Sequence, residues 1–203
     1  MAISFRAPRI EDLNDIAEIY NHAVRTTAAT FDIEEKPPSY FSSFVPGDHL
    51  HRMRVAVDDR DKVVAYAGIY PFSQRQAYAQ LAEMMVYVHP AWQRRGISRA
   101  LLAELHRGGG GVAGTGGQNG KEQAELESSQ GPGEELNVMI STANGGFLRG
   151  LHTVLGLINS ENVHMHRVME ELGYARKGEM EDVATKFGRR HSLVIYQRHV
   201  AKL

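Results

Sequence analysis

The residues with the plainest chemical potential lie between Val86 and Leu102, in the run Val-Tyr-Val-His-Pro-Ala-Trp-Gln-Arg-Arg-Gly-Ile-Ser-Arg-Ala-Leu-Leu. It reads as a buried strand, a short basic turn containing Gly96, and the start of an amphipathic helix. A strand that feeds a helix through such a turn aims several backbone N–H groups at one point. That point attracts phosphate, because a helix N-terminus carries unsatisfied donors and a partial positive charge. Gly96, lacking a Cβ, lets a ligand approach the backbone closely. The blander reading of the same run is a tight strand–helix connection with exposed arginines. A second glycine-rich stretch fails as a phosphate loop: Gly120-Lys121 is followed by Glu122 rather than Ser or Thr, and Thr115 stands where the first glycine is required. His164 and His166 fail as a metal pair, since positions two apart on a helix point away from each other and no carboxylate or cysteine stands at ligand spacing.

Several elements must hold the Gly96 turn in place. Ile3 to Arg6 reads as a strand, and Leu13, Ile16, Ile19, Tyr20 and Ala23 recur at helical spacing, predicting a helix over about Glu11 to Val24. Met53–Val57 and Val63–Ala67 flank the polar turn Asp58–Asp61 and predict a hairpin. Met84 to Val88 is a third strand, Ile97, Leu101 and Leu105 mark one helix face, Leu136 to Ile140 is a strand, and Val163 to Leu172 is a helix stopped by Gly173. Leu193 to Tyr196 reads as a closing strand. Strands and helices mix without strict alternation, which predicts an α+β (mixed α/β) domain. Residues 108–133 are rich in Gly, Gln, Glu and Ser and read as a disordered surface loop inserted in one domain spanning 1–203.

The chain has 203 residues, a net charge of −1 and no cysteine. That length supports one sizeable core. The charge balance excludes a general nucleic-acid binder, and the cysteine count excludes a thiol nucleophile or a thiolate metal site. No signal peptide and no apolar run of membrane-spanning length is read, so a cytoplasmic protein with no membrane partner is expected.

The order Gln93-x-x-Gly96-x-Ser98 resembles the acyl-CoA pyrophosphate loop of the GNAT N-acetyltransferases, with Ser98 where the family has Gly or Ala. Ile19–Val24 followed by Thr30-Phe31 resembles the first helix and loop of the phosphinothricin acetyltransferase branch. Ala65-Tyr66-Ala67-Gly68, Arg75-Gln76-Ala77-Tyr78, Glu83 ahead of Val86-Tyr87-Val88, Glu171-Leu172-Gly173-Tyr174 and Lys186–His191 look like the same branch. The resemblance implies the GNAT fold, a twisted, mostly antiparallel sheet with splayed central strands and flanking helices. It implies acetyl-CoA as co-substrate, with no metal, and a small-molecule amine as acceptor, an amino acid or a phosphinothricin/methionine-sulfoximine-like analogue; it also suggests a homodimer. Backbone groups of Val86, Tyr87 and Val88 would hold the pantetheine arm. Those of Arg94, Arg95, Gly96, Ile97, Ser98 and Arg99 would hold the pyrophosphate.

A substrate ammonium cannot attack a thioester until it loses a proton, and Glu83 stands where the branch has its acidic base candidate. A charged residue in a strand also calls for a reason. Phe31, Tyr66, Arg75 and Tyr78 match acceptor-pocket positions, Arg75 as a partner for a carboxylate or phosphinate. The family pattern Asn-x-x-x-x-x-Leu-His-x-x-Leu-Gly-Phe fits Asn162 to Tyr174, with Met169 in place of the His, a second base candidate. A partial second copy runs from Asn144 through His152 to Leu157. The copy from Asn162 is preferred, because the C-terminal strand motif follows it at the right distance, and Asn162 is then expected to hydrogen-bond the cofactor arm. Met169, Ser98 and the doubled element also leave open a degenerate GNAT domain that binds CoA as a sensor without turnover.

Overall fold

The computed structural model describes residues 2–106, 138–139 and 147–200, the pair 138–139 by backbone alone. Eight strands form one sheet: β1 (Ile3–Arg6), β2 (Arg52–Val57), β3 (Val63–Pro71), β4 (Leu81–Val88), β5 (Val138–Met139), β6 (Thr153–Asn159), β7 (Ala175–Lys186) and β8 (Arg189–His199). Their order is β5-β1-β2-β3-β4-β6-β8-β7. Only β1/β5 and β4/β6 pair parallel. The α+β sheet implied by the family likeness is therefore present. No helix among the described residues is long and apolar enough to cross a membrane.

Three helices cover the sheet: α1 (Leu13–Thr26), α2 (Ile97–His106) and α3 (Val163–Glu171). α1 sets Ile16, Ile19, Tyr20 and Val24 against Val55, Val57, Val63 and Tyr66. The opposite core joins Ile97, Leu101, Leu102 and Leu105 of α2 and Met165, Val168 and Met169 of α3 to Ala65, Ala67, Ile69 and Val154 of the sheet. Alternate residues of the central strands thus serve two cores, the pleat directing each side chain to one face. α1 starts two residues later than its spacing predicts, because Ile10–Asp12 is a separate 3₁₀ turn. Asp12 there accepts from the Arg6 guanidinium at 2.6 and 2.9 Å and from the Arg9 N–H at 2.6 Å.

Two readings change. The stretch up to Leu157, read as part of a doubled Asn-to-Leu-Gly element, falls in the strand Thr153–Asn159, so among the described residues one such helix is present and not two in tandem. Its residues alternate between neighbours on β4 and β8, and an apolar run of that length suits a buried strand as well as a helix. The closing strand is longer than Leu193–Tyr196 and is paired with β7, which the sequence analysis missed: its residues are mostly exposed and carry no apolar alternation. Asn144 and the segment 108–133 lie outside the described residues, and of the predicted strand Leu136–Ile140 only Val138–Met139 is described.

Gly68 shows how tightly the site's supporting strands are set. A Cβ there would lie 2.5 Å from the Arg52 carbonyl oxygen of β2 and 3.2 Å from the Met85 methyl of β4. Backbone must move to admit it, so Gly68→Ala is expected to destabilise by about 1–3 kcal/mol. Gly178→Ala on β7, where a Cβ meets nothing within 4 Å, is the control that should leave the thermal midpoint nearly unchanged.

Candidate active site

β4 and β6 pair at Leu81–Thr153, Ala82–Val154 and Glu83–Leu155, and then part. β4 stays on β3 and β6 stays on β8. The hydrogen bonds Phe72 N–H to Leu81 O (3.3 Å) and His89 N–H to Val64 O (2.8 Å) set the phase of the β3/β4 ladder. Odd-numbered residues of β4 spend their backbone groups on β3, and even-numbered residues turn theirs toward β6. Val86 and Val88 therefore face the opening with N–H and C=O. Tyr87, expected to join them, gives its backbone to Tyr66 and can contribute only its side chain. By the same phase rule, with Val200 N–H to His152 O (2.9 Å) and Ser160 N–H to Ser192 O (3.0 Å), Leu157 presents its backbone groups from the other bank, as does Asn159 with its N–H, its carbonyl accepting from Asn162 N–H at 2.9 Å.

The Gly96 turn closes one end of this opening. Pro90–Trp92 forms a 3₁₀ turn capped by His89, whose Nδ1 accepts from Ala91 N–H at 3.2 Å. Arg94 and Gly96 adopt left-handed backbone, at φ 63 and 72. For Gly96 that conformation costs nothing, and open space lies where a Cβ would stand. α2 then begins at Ile97, buried in the core. Arg95 stacks 4.7 Å from the centre of the Trp92 ring, and Arg99 pairs with Glu171 at 3.2 Å, so these two side chains are occupied elsewhere. Ser98 Oγ lies 3.5 Å from His164 Nε2. Val86, Tyr87, Val88, Arg94, Gly96, Ile97, Ser98 and Asn162 all line a cleft of about 810 Å³, together with Trp92, His164 and Arg189. Asn162 Oδ1 also accepts from Met165 N–H at 3.2 Å and caps α3.

A second chamber of about 840 Å³ adjoins the first, with Ala28, Ala29, Val86, Tyr87, Asn159, Asn162 and Met165 lining both. Its walls are aromatic, from Tyr20, Phe31, Tyr40, Phe44, Tyr70, Phe72 and Tyr87, and its charged side chains are Asp32 and Glu83. No lysine or arginine lines it among the described residues. Glu83 sits at the vertex where the strands part. Burial pushes its carboxyl above the ordinary glutamate range, opposed by a short hydrogen bond from the Tyr70 hydroxyl. Burial and the facing Glu83 carboxylate in turn keep the Tyr70 phenol protonated. Asp32 accepts from Tyr20 at 2.6 Å and from Lys36 at 3.2 Å.

A buried polar strap holds the loop that roofs both cavities. Asn159 Nδ2 donates to Ala28 O at 3.2 Å and to His191 Nδ1 at 3.2 Å, while His191 Nε2 donates to Lys186 O at 3.2 Å. Lys186 Nζ, itself buried, donates to Thr30 O at 2.8 Å. This arrangement places Phe31 in the chamber wall with its ring 5.9 Å from His191.

The remaining expected pocket residues are placed differently. Tyr66 is wholly buried beneath the chamber, and its hydroxyl finds no hydrogen-bond partner among the described residues. Arg75 and Tyr78 are exposed on the loop that follows β3, where Ser73 and Gln74 line the chamber and they do not. Tyr78 packs edge-on to Phe72 at 5.5 Å. Met169 is fully buried, and its methyl lies where a Cβ on Gly156 would stand, only 2.2 Å from that point. His152 lines neither cavity and packs edge-on to His199 at 5.3 Å. Tyr70, Tyr20 and Asp32 went unread. Tyr70 was findable, because Tyr66 and Tyr70 share one face of a period-2 strand and the hairpin brings that face to Glu83.

The sequence profile of the acetyltransferase (GNAT) domain matches residues 49–130. Phosphinothricin N-acetyltransferase of Streptomyces coelicolor is 36% identical over 116 residues, covering 51% of this chain and 68% of that protein. The chain belongs to the GNAT acetyltransferases. It is an acetyl-CoA-dependent N-acetyltransferase of the phosphinothricin acetyltransferase-like branch. The likeness to L-amino acid N-acyltransferase MnaT of Escherichia coli, 27% identical, spans 96% of this chain and 92% of that protein. That to the L-methionine sulfoximine/L-methionine sulfone acetyltransferase of Salmonella typhimurium, 26% identical, spans 92% and 88%. The structure of the Salmonella typhimurium acetyltransferase yncA with its cofactor acetyl-CoA superposes with a TM-score of 0.74 at 23% identity, over 100% of this chain and 96% of that one.

Tyr66→Phe tests whether Tyr66 belongs to the core or to the pocket. Removing a buried hydroxyl with no partner is expected to leave stability unchanged or raise it by up to about 1–2 kcal/mol, read as a thermal midpoint at or above that of the parent with acetyl-transfer rate retained.

Proposed function

We propose that this enzyme transfers the acetyl group of acetyl-CoA to the amino group of a small amine, an amino acid or an analogue such as phosphinothricin or methionine sulfoximine. One observation carries the reading: Glu83, a half-buried carboxylate, stands where the cofactor-sized cleft opens into an aromatic chamber lined by two carboxylates and, among the described residues, no cation. An ammonium is attracted into such a chamber, and a thioester held in the cleft reaches it through the parting of β4 and β6.

The groups available suit the co-substrate. Val86 and Val88 offer backbone hydrogen bonds to an amide-bearing arm, and the Gly96 turn with the N-terminus of α2 offers N–H donors and open space to a diphosphate. Acetyl-CoA supplies an acetyl thioester. Glu83 takes one proton from the acceptor ammonium, whose freed electron pair forms the new C–N bond as the C–S pair leaves on sulfur; the nitrogen's second proton leaves as the amide forms, and the thiolate is protonated. A backbone N–H near Val86 is placed to meet negative charge developing on the carbonyl oxygen. Of the chain's cations, Arg75 follows directly on the lining residues Ser73 and Gln74, so an acceptor carboxylate is best met at the mouth with the ammonium inward. The names of the relatives that act on amino acids and methionine sulfoximine support that acceptor class. A homodimer, implied by the family likeness, would cover apolar side chains such as Met180 and Val183 that β7 leaves exposed; sedimentation velocity tests it.

Two substitutions test the reading. Glu83→Gln is expected to lower turnover about 10²–10⁴-fold with acetyl-CoA affinity intact, and the defect should shrink at high pH, where more of the amine is already neutral. The measurement is thiol release with a panel of amines that includes L-methionine sulfoximine. Gly96→Val forces a branched side chain into a left-handed turn and onto the approach path of the diphosphate. It should weaken acetyl-CoA binding at least tenfold, about 1.4 kcal/mol, by calorimetry.

A further inference from the structure

β3 and β4 pair antiparallel with Tyr70 directly across from Glu83. The Tyr70 hydroxyl donates to Glu83 Oε1, and both side chains line the acceptor chamber. Glu83 Oε2 accepts no hydrogen bond among the described residues, so one carboxylate oxygen is held and the other is open. The other titratable side chains of the chamber are placed for something else, Tyr40 packing edge-on to Phe41 at 5.1 Å under the Lys36 ammonium. Tyr87, further along β4, packs edge-on to Tyr20 of α1 at 5.0 Å. Tyr20 and Lys36 are spent on Asp32, and His51 pairs with Asp48 at 3.1 Å. From β6, and from α3 with its cap, the chamber receives no titratable side chain, only Leu157, Ile158, Asn159, Asn162, Met165 and Met169.

We propose that Tyr70 is a positioning residue for the acetyl transfer: its hydroxyl anchors one oxygen of Glu83 and so aims the other at the acceptor's ammonium. The inference rests on the reading of Glu83 as the proton acceptor. A half-buried carboxylate on a strand can turn about its side-chain bonds, and a donor across the ladder fixes it. The same bond favours the ionised carboxylate and works against the burial that disfavours it. The phenol stays protonated next to a carboxylate, so it acts as a donor throughout and is not itself the base. In the step it supports, one proton leaves the acceptor nitrogen for Glu83 Oε2. The nitrogen's electron pair forms the C–N bond, the C–S pair leaves on sulfur, the nitrogen gives up its second proton to solvent as the amide forms, and the proton held by Glu83 is available to the thiolate.

The test is Tyr70→Phe, which keeps the ring and removes the donor, alone and with Glu83→Gln. Acetyl-CoA affinity by calorimetry should stay within about twofold of the parent. Turnover with L-methionine sulfoximine, or with the panel amine that the parent acetylates fastest, should fall about tenfold, a loss of about 1.4 kcal/mol. The acidic limb of the pH–rate profile should move to higher pH, because burial is then unopposed. A titration of the ¹³C-labelled Glu83 carboxyl followed by NMR should show the same upward move without turnover. Adding Tyr70→Phe to Glu83→Gln should cost less than twofold further. If Glu83→Gln is fully active, the reading of Glu83 fails and this inference falls with it. If Glu83→Gln is impaired while Tyr70→Phe keeps the parent's rate and pH midpoint, or costs a further tenfold in the Glu83→Gln background, this inference alone is overturned.

Discussion

The parallel ladder between β4 and β6 lasts for three residue pairs and then stops, and the site exists because it stops there. Backbone N–H and C=O groups must find partners in any folded protein. Each strand has a secure neighbour on its far side, β3 for β4 and β8 for β6, so the sheet survives the parting without losing a strand. What remains is a pair of facing strand edges whose alternate backbone groups are free for a ligand. The same phase rule that frees Val86 and Val88 ties Tyr87 to β3, and it sends the Tyr87 ring to the α1 face, where the aromatic chamber lies. One alternation sorts the residues of a short strand between two duties.

The vertex of the opening concentrates the chemistry. Glu83 is the last β4 residue paired with β6; its backbone is held by β3, and that of its neighbour Ala82 faces β6, while its side chain reaches the chamber. The far wall owes its position to the Asn159–His191–Lys186 strap, which pins the loop after α1 to the strands beyond the opening. A buried polar chain of this kind is costly unless every member is satisfied. Three of its four hydrogen bonds cross between elements distant in sequence, and only that from His191 to Lys186 O is local, so the strap stabilises one geometry of the roof more than any local structure.

How much of this was legible depended on whether the signal was local. The Gly96 turn, the α3 helix with its Gly173 stop and the Asp58–Asp61 hairpin are written in neighbouring residues, and each is where the sequence puts it. β6 was misread because Thr153–Asn159 is a short apolar run, and periodicity cannot separate a buried strand from a helix segment at that length. β7 escaped because its pairing with β8, not its composition, makes it a strand. Within the site, the lining by Val86, Val88, Gly96, Ser98 and Asn162 was readable from the motif. The role of the Tyr87 backbone and the burial of Tyr66 depend on ladder phase and on which face meets α1. Those are properties of the assembled sheet. Arg75 and Tyr78 were placed by likeness alone, and the loop after β3 leaves their side chains exposed.

Met169 and Gly156 form a matched pair, one side chain filling the space that the other does not have. Neither position is therefore free to vary alone. A lineage that gained a branched residue at 156 would have to shorten the side chain at 169. An imidazole at 169 would put a stiff, polar ring into a recess shaped for a flexible thioether. Correlated replacement at these two positions among relatives would mark which of them enclose their chamber in the same way, and would divide the branch by the shape of its ceiling rather than by the residues that touch the acetyl group.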